Sequence, residues 1–403
     1  MIDVGATGPT ERCDAGSRLV RVLHLGSPIG LYGAERWILA VARHLPAAEF
    51  ESVVAAVRDD PALTAPVCRR ASELGIEGRV FDGRGRLSLR AVRQIRAFIR
   101  ATAIDIVHSH GYKTDLIGLL AAAGTPCRTV TTPHGWSTDA DWKLRIYEWL
   151  DRASFPIFDA VVPLSDKLHR GLEWVGRLRG NLHLIPNGLD LDEVAEARAA
   201  SAGAYLAKGD ADFVVGFVGR LIPLKAVDVL MRAFARLDRP GKRLWIVGDG
   251  PEAEALKALA SQLGVASMVR FFGYREDRLA IMGRMDVLAL PSRSEGTPRC
   301  VLEAMAARVP VVTSDVEGCR ILVRDGETGL LSRVDDVAAL ARQLERLAGD
   351  AGLRRRLAEA GYAFVEREFS ARTVASRYAE LYRELLASGG SRSALTSARG
   401  DLR

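Results

Sequence analysis

Short apolar runs alternate along this chain with longer segments in which apolar residues recur every three or four positions. The short runs are typical of buried strands, and the longer spacing is typical of amphipathic helices. Strands are predicted at 18–27, 51–57, 104–111, 128–136, 158–166, 181–190, 213–218, 287–290 and 311–315, and at the starts of 242–264 and 267–277. Helices are predicted at 36–45, 66–74, 88–101, 114–123 and 141–153, and within 335–387. This alternation predicts parallel sheets with helices on both faces, the doubly wound α/β class.

Turn chemistry and composition divide the chain into two such halves. Its 403 residues are enough for two domains of ordinary size. The turn at Pro186–Gly188 ends the first half, and an alanine-rich polar stretch follows it. We predict a disordered tail at 1–17, a first domain at 18–190, a linker at 191–210, a second domain at 211–365, a C-terminal helix at 366–388 and a flexible tail at 389–403.

The bulk composition is that of a globular cytoplasmic protein. The net charge is +6, and no basic motif for nucleic acid stands out. Five cysteines form no CxxC pair, so we expect reduced thiols. The first residues lack the apolar core of a secretory signal, and no window approaches the length of a transmembrane helix.

The most informative stretch runs from residue 286 to residue 310. It predicts a buried strand, a polar loop and then a helix, with Thr297 as N-cap and Pro298 as the first helical residue. The first-turn amides near Arg299 and Cys300 then have no acceptor within the helix. Such a helix start is a ready site for an anion.

Two acids flank this helix start, Glu295 in the loop and Glu303 further along the helix. Carboxylates accept hydrogen bonds from hydroxyls, so a phosphate site framed by two acids suits a sugar nucleotide. Isolated glutamates at such positions are usually solvated, and that alternative remains open on the residues alone.

The run S-x-S-E-G-T-P-R-C-V-L-E-A-M-A at 292–306 resembles the nucleotide-sugar signature of retaining family-four glycosyltransferases. The resemblance implies the GT-B fold, two Rossmann-like domains facing across a cleft, with the last helix crossing back to the first domain. It implies that Glu303 binds the ribose, and that Glu295 and the backbone of Gly296 to Arg299 hold the donor sugar and phosphates. It also implies retention of anomeric configuration by front-side attack. Some members have Gly-Leu where this chain has Pro298-Arg299.

Two cations precede a helix in the second half. Arg220 follows a predicted strand, and Lys225 lies just before the helix that starts near Val227. The helix dipole disfavours a lysine there by about 0.3–1 kcal/mol, so an anion between the two cations would explain them. G-R-L-x-x-x-K resembles the phosphate-clamping pair of the same family, and such cations would neutralise the leaving group.

The first half supplies the residues expected on the acceptor side. Gly30 and Gly33 allow close backbone approach before a helix, and G-A-E-R, which contains Glu35, resembles the first loop of the family. The resemblance implies that this loop faces both donor and acceptor, and we expect Gly33 to contact the donor. His134 ends a predicted strand, and the resemblance places it beside the donor sugar.

His108 and His110 lie two residues apart on one strand face. Zinc would require further ligands nearby, and Cys127 alone does not supply them. We therefore expect a structural or substrate-orienting role for these two histidines.

Two alternatives remain. Residues 248–253 fit G-x-G-x-x-A after a strand, which would suit an NAD(P)-binding oxidoreductase, although the family has its own turn at Gly248 and no acid ends the next strand cleanly. A non-catalytic nucleotide-sugar-binding protein would keep the same residues. The three D-x-D sequences, at 139–141, 190–192 and 210–212, do not directly follow a strand, so we expect no metal and no cofactor. Tyr274 and Arg275 are expected to lie beside a uracil or guanine base.

Residues 84–100 contain six arginines and no acid beside an apolar stripe. A basic amphipathic helix can bind anionic lipid, although a solvated helix face is the simpler explanation. The family resemblance implies transfer of a sugar from a UDP- or GDP-sugar to a sugar or lipid-linked acceptor. The expected setting is the synthesis of cell-envelope polysaccharide, lipopolysaccharide or glycolipid. The enzyme would be cytoplasmic, with possible contact at the inner membrane face.

Overall fold

A computed structural model describes residues 18–27, 30, 33–60, 62–83, 88–134, 142–199, 209 and 211–397. The side chains of 142–144 and 389–397 lie outside this description. The predicted tail at 1–17, most of the second half of the predicted linker, and Arg84 and Arg86 also lie outside it.

The first sheet has six parallel strands in the order β3-β2-β1-β4-β5-β6. Their bounds are β1 Val20–Gly26, β2 Phe50–Arg58, β3 Glu77–Asp82, β4 Ile106–Ser109, β5 Arg128–Thr131 and β6 Ala160–Val161. Its helices are α1 Gly33–His44, α2 Pro66–Glu73, α3 Leu89–Ala101, α4 Tyr112–Ala122, α5 Trp142–Ser154, α6 Asp166–Gly171 and α7 Glu173–Arg179.

The second sheet repeats this architecture in the order β12-β11-β10-β7-β8-β9. Its strands are β7 Phe213–Val218, β8 Lys242–Val247, β9 Val269–Gly273, β10 Val287–Leu290, β11 Val311–Ser314 and β12 Leu330–Ser332. The remaining helices are α8 Leu191–Ala199, α9 Val227–Arg236, α10 Ala253–Gln262, α11 Arg278–Met282, α12 Arg299–Ala306, α13 Glu317–Arg320, α14 Val337–Gly349, α15 Ala351–Phe369 and α16 Ala371–Ser397. In each sheet the strand order reverses between two central strands, β1/β4 and β7/β10, which is where such folds bind ligands.

The chain crosses between the domains twice, and the two crossings run side by side. Leu189 and Ala371 exchange backbone hydrogen bonds with the opposite crossing, at 2.8 Å each. After the second crossing, α16 packs on α1, and Tyr378 and Tyr382 are buried in the core of the first domain.

The carboxyl ends of both sheets face each other. Arg170 on α6, which follows β6, forms an ion pair with Glu317 on α13, which follows β11. A second ion pair joins Arg36 of α1 to Glu193 of α8. No helix of the described chain is long and apolar enough to cross a bilayer.

Several predicted boundaries were wrong. Strand β3 was not predicted, because it is the edge strand and most of its residues are polar or partly exposed. Residues 181–190 form only single bridges at Leu182 and Leu189, because the chain turns away from the sheet there. Helix α12 begins one residue later than predicted: Pro298 is its N-cap, and no side chain caps the helix. Helix α16 continues to Ser397, into the range predicted as a flexible tail, since composition does not register helix propagation from a packed segment.

Candidate functional site

A cavity of about 470 Å³ opens at the carboxyl end of the second sheet, where the strand order reverses between the neighbouring strands β7 and β10. Four loops and the start of α12 form its walls. It is lined by Val218, Gly219, Arg220, Lys225, Val247, Gly248, Asp249, Tyr274, Arg275, Arg278, Glu295, Thr297, Pro298, Arg299, Cys300 and Glu303. All but three of these residues are polar, charged or glycine. Arg220, Lys225, Glu295 and Glu303, which are far apart in sequence, therefore share one cavity.

The lining carries five cationic and three acidic side chains, an excess of two positive charges. Most of the cations already have acidic partners. Arg220 is exposed and forms no ion pair with any described residue, so its guanidinium can meet a ligand without first leaving a partner. A cavity with this charge balance suits an anion that also presents hydroxyl groups.

Lys225 ends a single 3₁₀ turn, Pro223–Lys225, just before α9. Its Nζ lies 2.7 Å from Glu295 Oε1, and the two side chains are only 19% and 8% exposed. Ala226 connects the turn to α9 with a left-handed backbone, φ 49°. This turn of the backbone directs Lys225 towards the cavity. There the carboxylate of Glu295 compensates the unfavourable interaction between the lysine and the dipole of α9.

Glu303 is buried inside the cavity wall and bound by two arginines. Its Oε1 accepts from Arg278 Nη2 at 2.6 Å and from Arg299 Nε at 3.0 Å, and its Oε2 accepts from Arg278 Nε at 3.2 Å. Arg278 was not predicted as a site residue, because it opens α11 and belongs to no motif. Its position three residues after Arg275, on the same predicted loop, was the only available signal.

The start of α12 offers unpaired donors to the cavity. Within the described chain, nothing accepts from the backbone amides of Arg299 and Cys300, and Arg299 Nη1 is buried without a partner. The predicted residue Gly296 does not line the cavity. It packs instead on Gly318 of α13, where an added Cβ would lie 1.8 Å from Gly296 O.

Gly248 and Gly250 are required for packing between neighbouring loops. Gly248 has φ +132°, and a Cβ added there would lie 1.9 Å from Gly219 O. A Cβ at Gly250 would lie 2.3 Å from Leu221 O. The G-x-G-x-x-A match is therefore explained by backbone contacts within the protein, which weakens the case for a dinucleotide site.

Tyr274 and Arg275 lie at the outer end of the cavity. Tyr274 is 70% exposed, and Arg275 binds Asp277 through Nε and Nη2 at 2.7 and 2.8 Å. An exposed ring here can stack on a planar ligand group.

The residues predicted on the acceptor side do not line this cavity. Gly33, which was also expected to contact the donor, begins α1 and is not part of the cavity lining. Gly30 lies in the loop before α1, and Glu35 is buried in its first turn. His110 lines a separate cavity of about 280 Å³ in the first domain. His134 is half-buried, and its Nε2 has no partner among the described residues.

His110 belongs to a buried cluster with His24, His108 and Trp37. Ring centroids of His108 and His110 are 4.2 Å apart, and those of His24 and His110 are 5.9 Å apart and stacked. Burial lowers the pKa of His24 to about 3 and that of His134 to about 4, so both rings are neutral near pH 7. His24 was not predicted as a site residue, because only the structure shows that its strand β1 pairs with β4, which carries His108.

Both halves of the chain match known family profiles. The profile described as Glycosyltransferase Family 4 matches residues 32–193, and that described as Glycosyl transferases group 1 matches residues 204–364.

Several curated proteins are similar in sequence. A lipopolysaccharide core biosynthesis glycosyltransferase of Rhizobium meliloti is 38% identical over 42% of this chain and 49% of its own length. A D-inositol 3-phosphate glycosyltransferase of Nocardia farcinica is 33% identical over 63% of this chain and 60% of its own. That of Streptomyces scabiei is 34% identical over 72% of this chain and 70% of its own. The chain thus spans about half to three fifths of the first two relatives.

Solved structures share the fold across nearly the whole chain. HepE of Anabaena, solved in complex with UDP, superposes with a TM-score of 0.72 at 21% identity, covering 91% of this chain and 100% of that one. A glycosyltransferase of Rickettsia africae gives 0.72 at 18% identity, covering 92% and 99%. The predicted two-domain GT-B fold is confirmed. Because a relative 34% identical is matched over more than two thirds of its length, and because each domain matches its own profile, the chain belongs to the family-four, group 1 glycosyltransferases.

Proposed function

We propose that this enzyme transfers a sugar, with retention of anomeric configuration, from a UDP- or GDP-linked donor to a hydroxyl acceptor. One observation carries the proposal: Arg220, Lys225, Glu295 and Glu303 line a single cavity at the start of α12. Cations and unpaired helix-start amides suit a diphosphate, and buried acids suit sugar hydroxyls.

Each residue then has a specific task. Arg220, which has no acidic partner in the described chain, and Lys225 neutralise the charge that grows on the leaving diphosphate. The amides of Arg299 and Cys300 bind a phosphate, assisted by the unpartnered Arg299 Nη1. Glu295, held by Lys225, accepts from the donor sugar, and we assign it to sugar binding and to no covalent step.

Glu303 is proposed to bind the ribose. A carboxylate offers about four acceptor positions, and three of them are already taken by Arg278 and Arg299. The remaining position on Oε2 can accept one ribose hydroxyl. A second hydroxyl would displace Arg299, whose guanidinium could then turn to the phosphate.

The names of similar proteins indicate which substrates to test first. HepE was solved with UDP-glucose, and curated relatives act on D-inositol 3-phosphate or on lipopolysaccharide core. We propose a UDP-hexose as the first donor, with acceptors from those two classes. Cell-envelope polysaccharide, lipopolysaccharide or glycolipid synthesis is the proposed setting.

The decisive experiment is a donor panel of UDP- and GDP-sugars with both acceptor classes, read out as free nucleotide release. The expected result is acceptor-dependent release from one nucleotide class, with the donor's anomeric configuration kept in the product by NMR. Calorimetric titrations with UDP, GDP and NADPH run alongside. Tight binding of NADPH alone would favour the oxidoreductase, and UDP or GDP binding without any turnover would favour the non-catalytic binding protein.

His134, Gly33 and Glu35 are proposed to face the acceptor. Contact with anionic membrane is proposed through the exposed face of α3, which carries Arg90 and Arg93. The apolar stripe of α3 is packed in the core, so the contact would be electrostatic only. Arg96 contributes less, because its Nε donates to Ala121 O at 3.2 Å.

Co-sedimentation with anionic vesicles tests this contact. The wild type is expected to bind in a salt-sensitive manner, and an Arg90/Arg93/Arg96→Glu variant is expected to lose binding. Equal, weak binding by both proteins would leave α3 as a solvated face.

A further inference from the structure

Three histidines share one face of the first sheet near its carboxyl end. His24 on β1 lies in direct register with His108 on β4, and His110 follows two residues later, so all three side chains point the same way. His24 and His108 come from the adjacent strands β1 and β4, and His110 is the first residue after β4. Trp37 of α1 packs against His108 and His110. All three histidines are buried, at 0%, 0% and 8% exposure.

The cluster leaves buried polar atoms without partners. Neither ring nitrogen of His24 and neither ring nitrogen of His110 has a hydrogen-bond partner among the described residues. A buried imidazole nitrogen without a hydrogen-bond partner is unfavourable, so a fold rarely keeps two such rings side by side. Something other than the described side chains is expected to meet these nitrogens.

One ligand atom from each of the three histidines lies within 4.8 Å of the other two. Zinc binds imidazole nitrogen at about 2.0–2.1 Å, so tetrahedral ligand atoms are roughly 3.4 Å apart, which modest side-chain rotation can reach. We propose that His24, His108 and His110 bind one divalent transition-metal ion of the zinc class. Three neutral nitrogen ligands and no carboxylate favour such an ion over magnesium or calcium.

His108 has the outer contacts of a metal ligand. Its Nδ1 lies 2.7 Å from Tyr382 Oη, and its Nε2 lies 2.8 Å from Thr132 Oγ1. Metal-binding histidines commonly donate their second N–H to an oxygen, which fixes the ring. On metal binding, His108 keeps one of these contacts and exchanges the other for the ion.

A second group, His44, Asp190 and Asp192, is a weaker candidate. Its residues are half-buried or exposed, and Asp190 is already paired with Arg43 Nη1 at 3.3 Å and lies 3.5 Å from His44 Nε2. A cation beside the acid opposes a second cation. This group therefore serves as the internal control.

An ion at the histidine cluster would join β1 to β4 and, through Tyr382, to α16. It would brace the first domain below the cleft without taking part in the transfer reaction. The proposal does not depend on the donor or acceptor, and its test requires no activity.

The test uses the full chain, stripped with a chelator and titrated with Zn²⁺ alone by calorimetry. One equivalent of zinc per chain is expected, with a rise in Tm that the chelator reverses. X-ray absorption of the wild-type zinc complex should show three imidazole ligands, whereas the His44 group could supply only one. This spectrum decides the site even where a variant fails to fold.

Variants give the second measurement. His24→Phe and His110→Gln are expected to lose stoichiometric zinc, and His44→Gln is expected to keep it. The proposal is overturned if zinc does not saturate at one equivalent, if the spectrum shows a single imidazole, or if only His44→Gln loses the ion. A high-resolution crystal structure grown with zinc that shows only a water among the three rings would also overturn it.

Discussion

The guanidinium of Arg278 faces the carboxylate of Glu303 with both contacts made, Nη2 to Oε1 at 2.6 Å and Nε to Oε2 at 3.2 Å. Glu303 is 2% exposed and Arg278 23%, so the pair is shielded from solvent. A planar fork on a carboxylate fixes the rotation of that carboxylate. Arg278 therefore determines which oxygen of Glu303 a ligand can reach.

We expect Arg278→Ala to raise the donor KM with a smaller effect on kcat, because Glu303 loses its orientation. Hydrogen bonds to charged groups contribute about 1.5–3 kcal/mol, which corresponds to a roughly ten- to hundredfold change in KM. Arg278→Lys should recover little, since an ammonium cannot make both contacts. Steady-state kinetics with varied donor concentration measure this change. Arg243→Ala is the control, because Arg243 lies near the start of β8, whereas the cavity lies at the end of that strand. An unchanged KM would contradict the assignment.

We expect substitutions of Arg220 and of Glu303 to change different kinetic parameters. Arg220→Ala is expected to lower kcat roughly a hundredfold, because a cation that meets the leaving diphosphate acts mainly in the transition state. Glu303→Ala is expected to raise the donor KM instead, as ground-state binding is lost. Initial-rate kinetics distinguish the two patterns. If the two variants showed the same pattern, the roles given to these residues would be wrong.

Gly318 of α13 packs against the backbone of the loop that carries Glu295. An added Cβ would lie 1.8 Å from Gly296 O and 2.4 Å from Glu295 O, so Gly318→Ala must push this loop away from α13. Misplacement of a binding group by about 1 Å can cost roughly a hundredfold in rate, and we expect a loss of that order in kcat/KM.

Gly349→Ala is the matched control, because nothing lies within 4 Å of its added Cβ. We expect full activity for that variant. Activity retained by Gly318→Ala, with an unchanged Tm, would show that the contact does not position the loop.

Asp115 on α4 and Asp151 on α5 form a buried acid pair. Asp115 also accepts from Thr131 Oγ1 at 2.9 Å. Burial raises the pKa of Asp115, and burial and then the charge of Asp115 raise the pKa of Asp151. The pair therefore holds a proton at neutral pH, which satisfies carboxyl oxygens that no described donor reaches.

This raised pKa sets the sign of a pH effect. In the unfolded chain both acids release their protons above about pH 4, whereas the folded pair keeps one, so unfolding releases a proton and stability falls as the pH rises. The Asp151→Asn variant needs no shared proton, because the side-chain amide of the asparagine donates a hydrogen bond to the carboxylate of Asp115. We expect the Tm of the variant, relative to wild type, to increase from pH 5 to pH 8. Thermal denaturation across that range measures the trend.

Asp82→Asn should show no such trend between pH 5 and pH 8, because Asp82 is ionised in both the folded and the unfolded chain throughout that range. The side-chain contact with Arg58 lowers the pKa of Asp82, so its contribution to stability is present above the unfolded pKa and is lost in acid. A parallel trend in the two variants would refute the shared proton.

Much of the site was predictable from consecutive residues. The strand, loop and helix at 287–306 follow from an apolar run, a polar break and an amphipathic segment, and the structure differs there mainly in the N-cap residue. Arg220 and Lys225 were recognisable because each lies at a fixed distance from a strand end or helix start. Whether the two cations and the two acids met in one cavity depended on the reversal of strand order between β7 and β10.

Periodicity and turn chemistry, which depend only on neighbouring residues, were sufficient to predict two doubly wound domains and the chemistry expected at the carboxyl ends of their strands. They carried no information about Arg278, 25 residues from Glu303. They also did not show that His24 would complete a cluster with His108 and His110, or that Gly318 would lie behind Glu295. Such contacts depend on strand register and on the path of loops between distant segments, which are decided only when the whole chain packs.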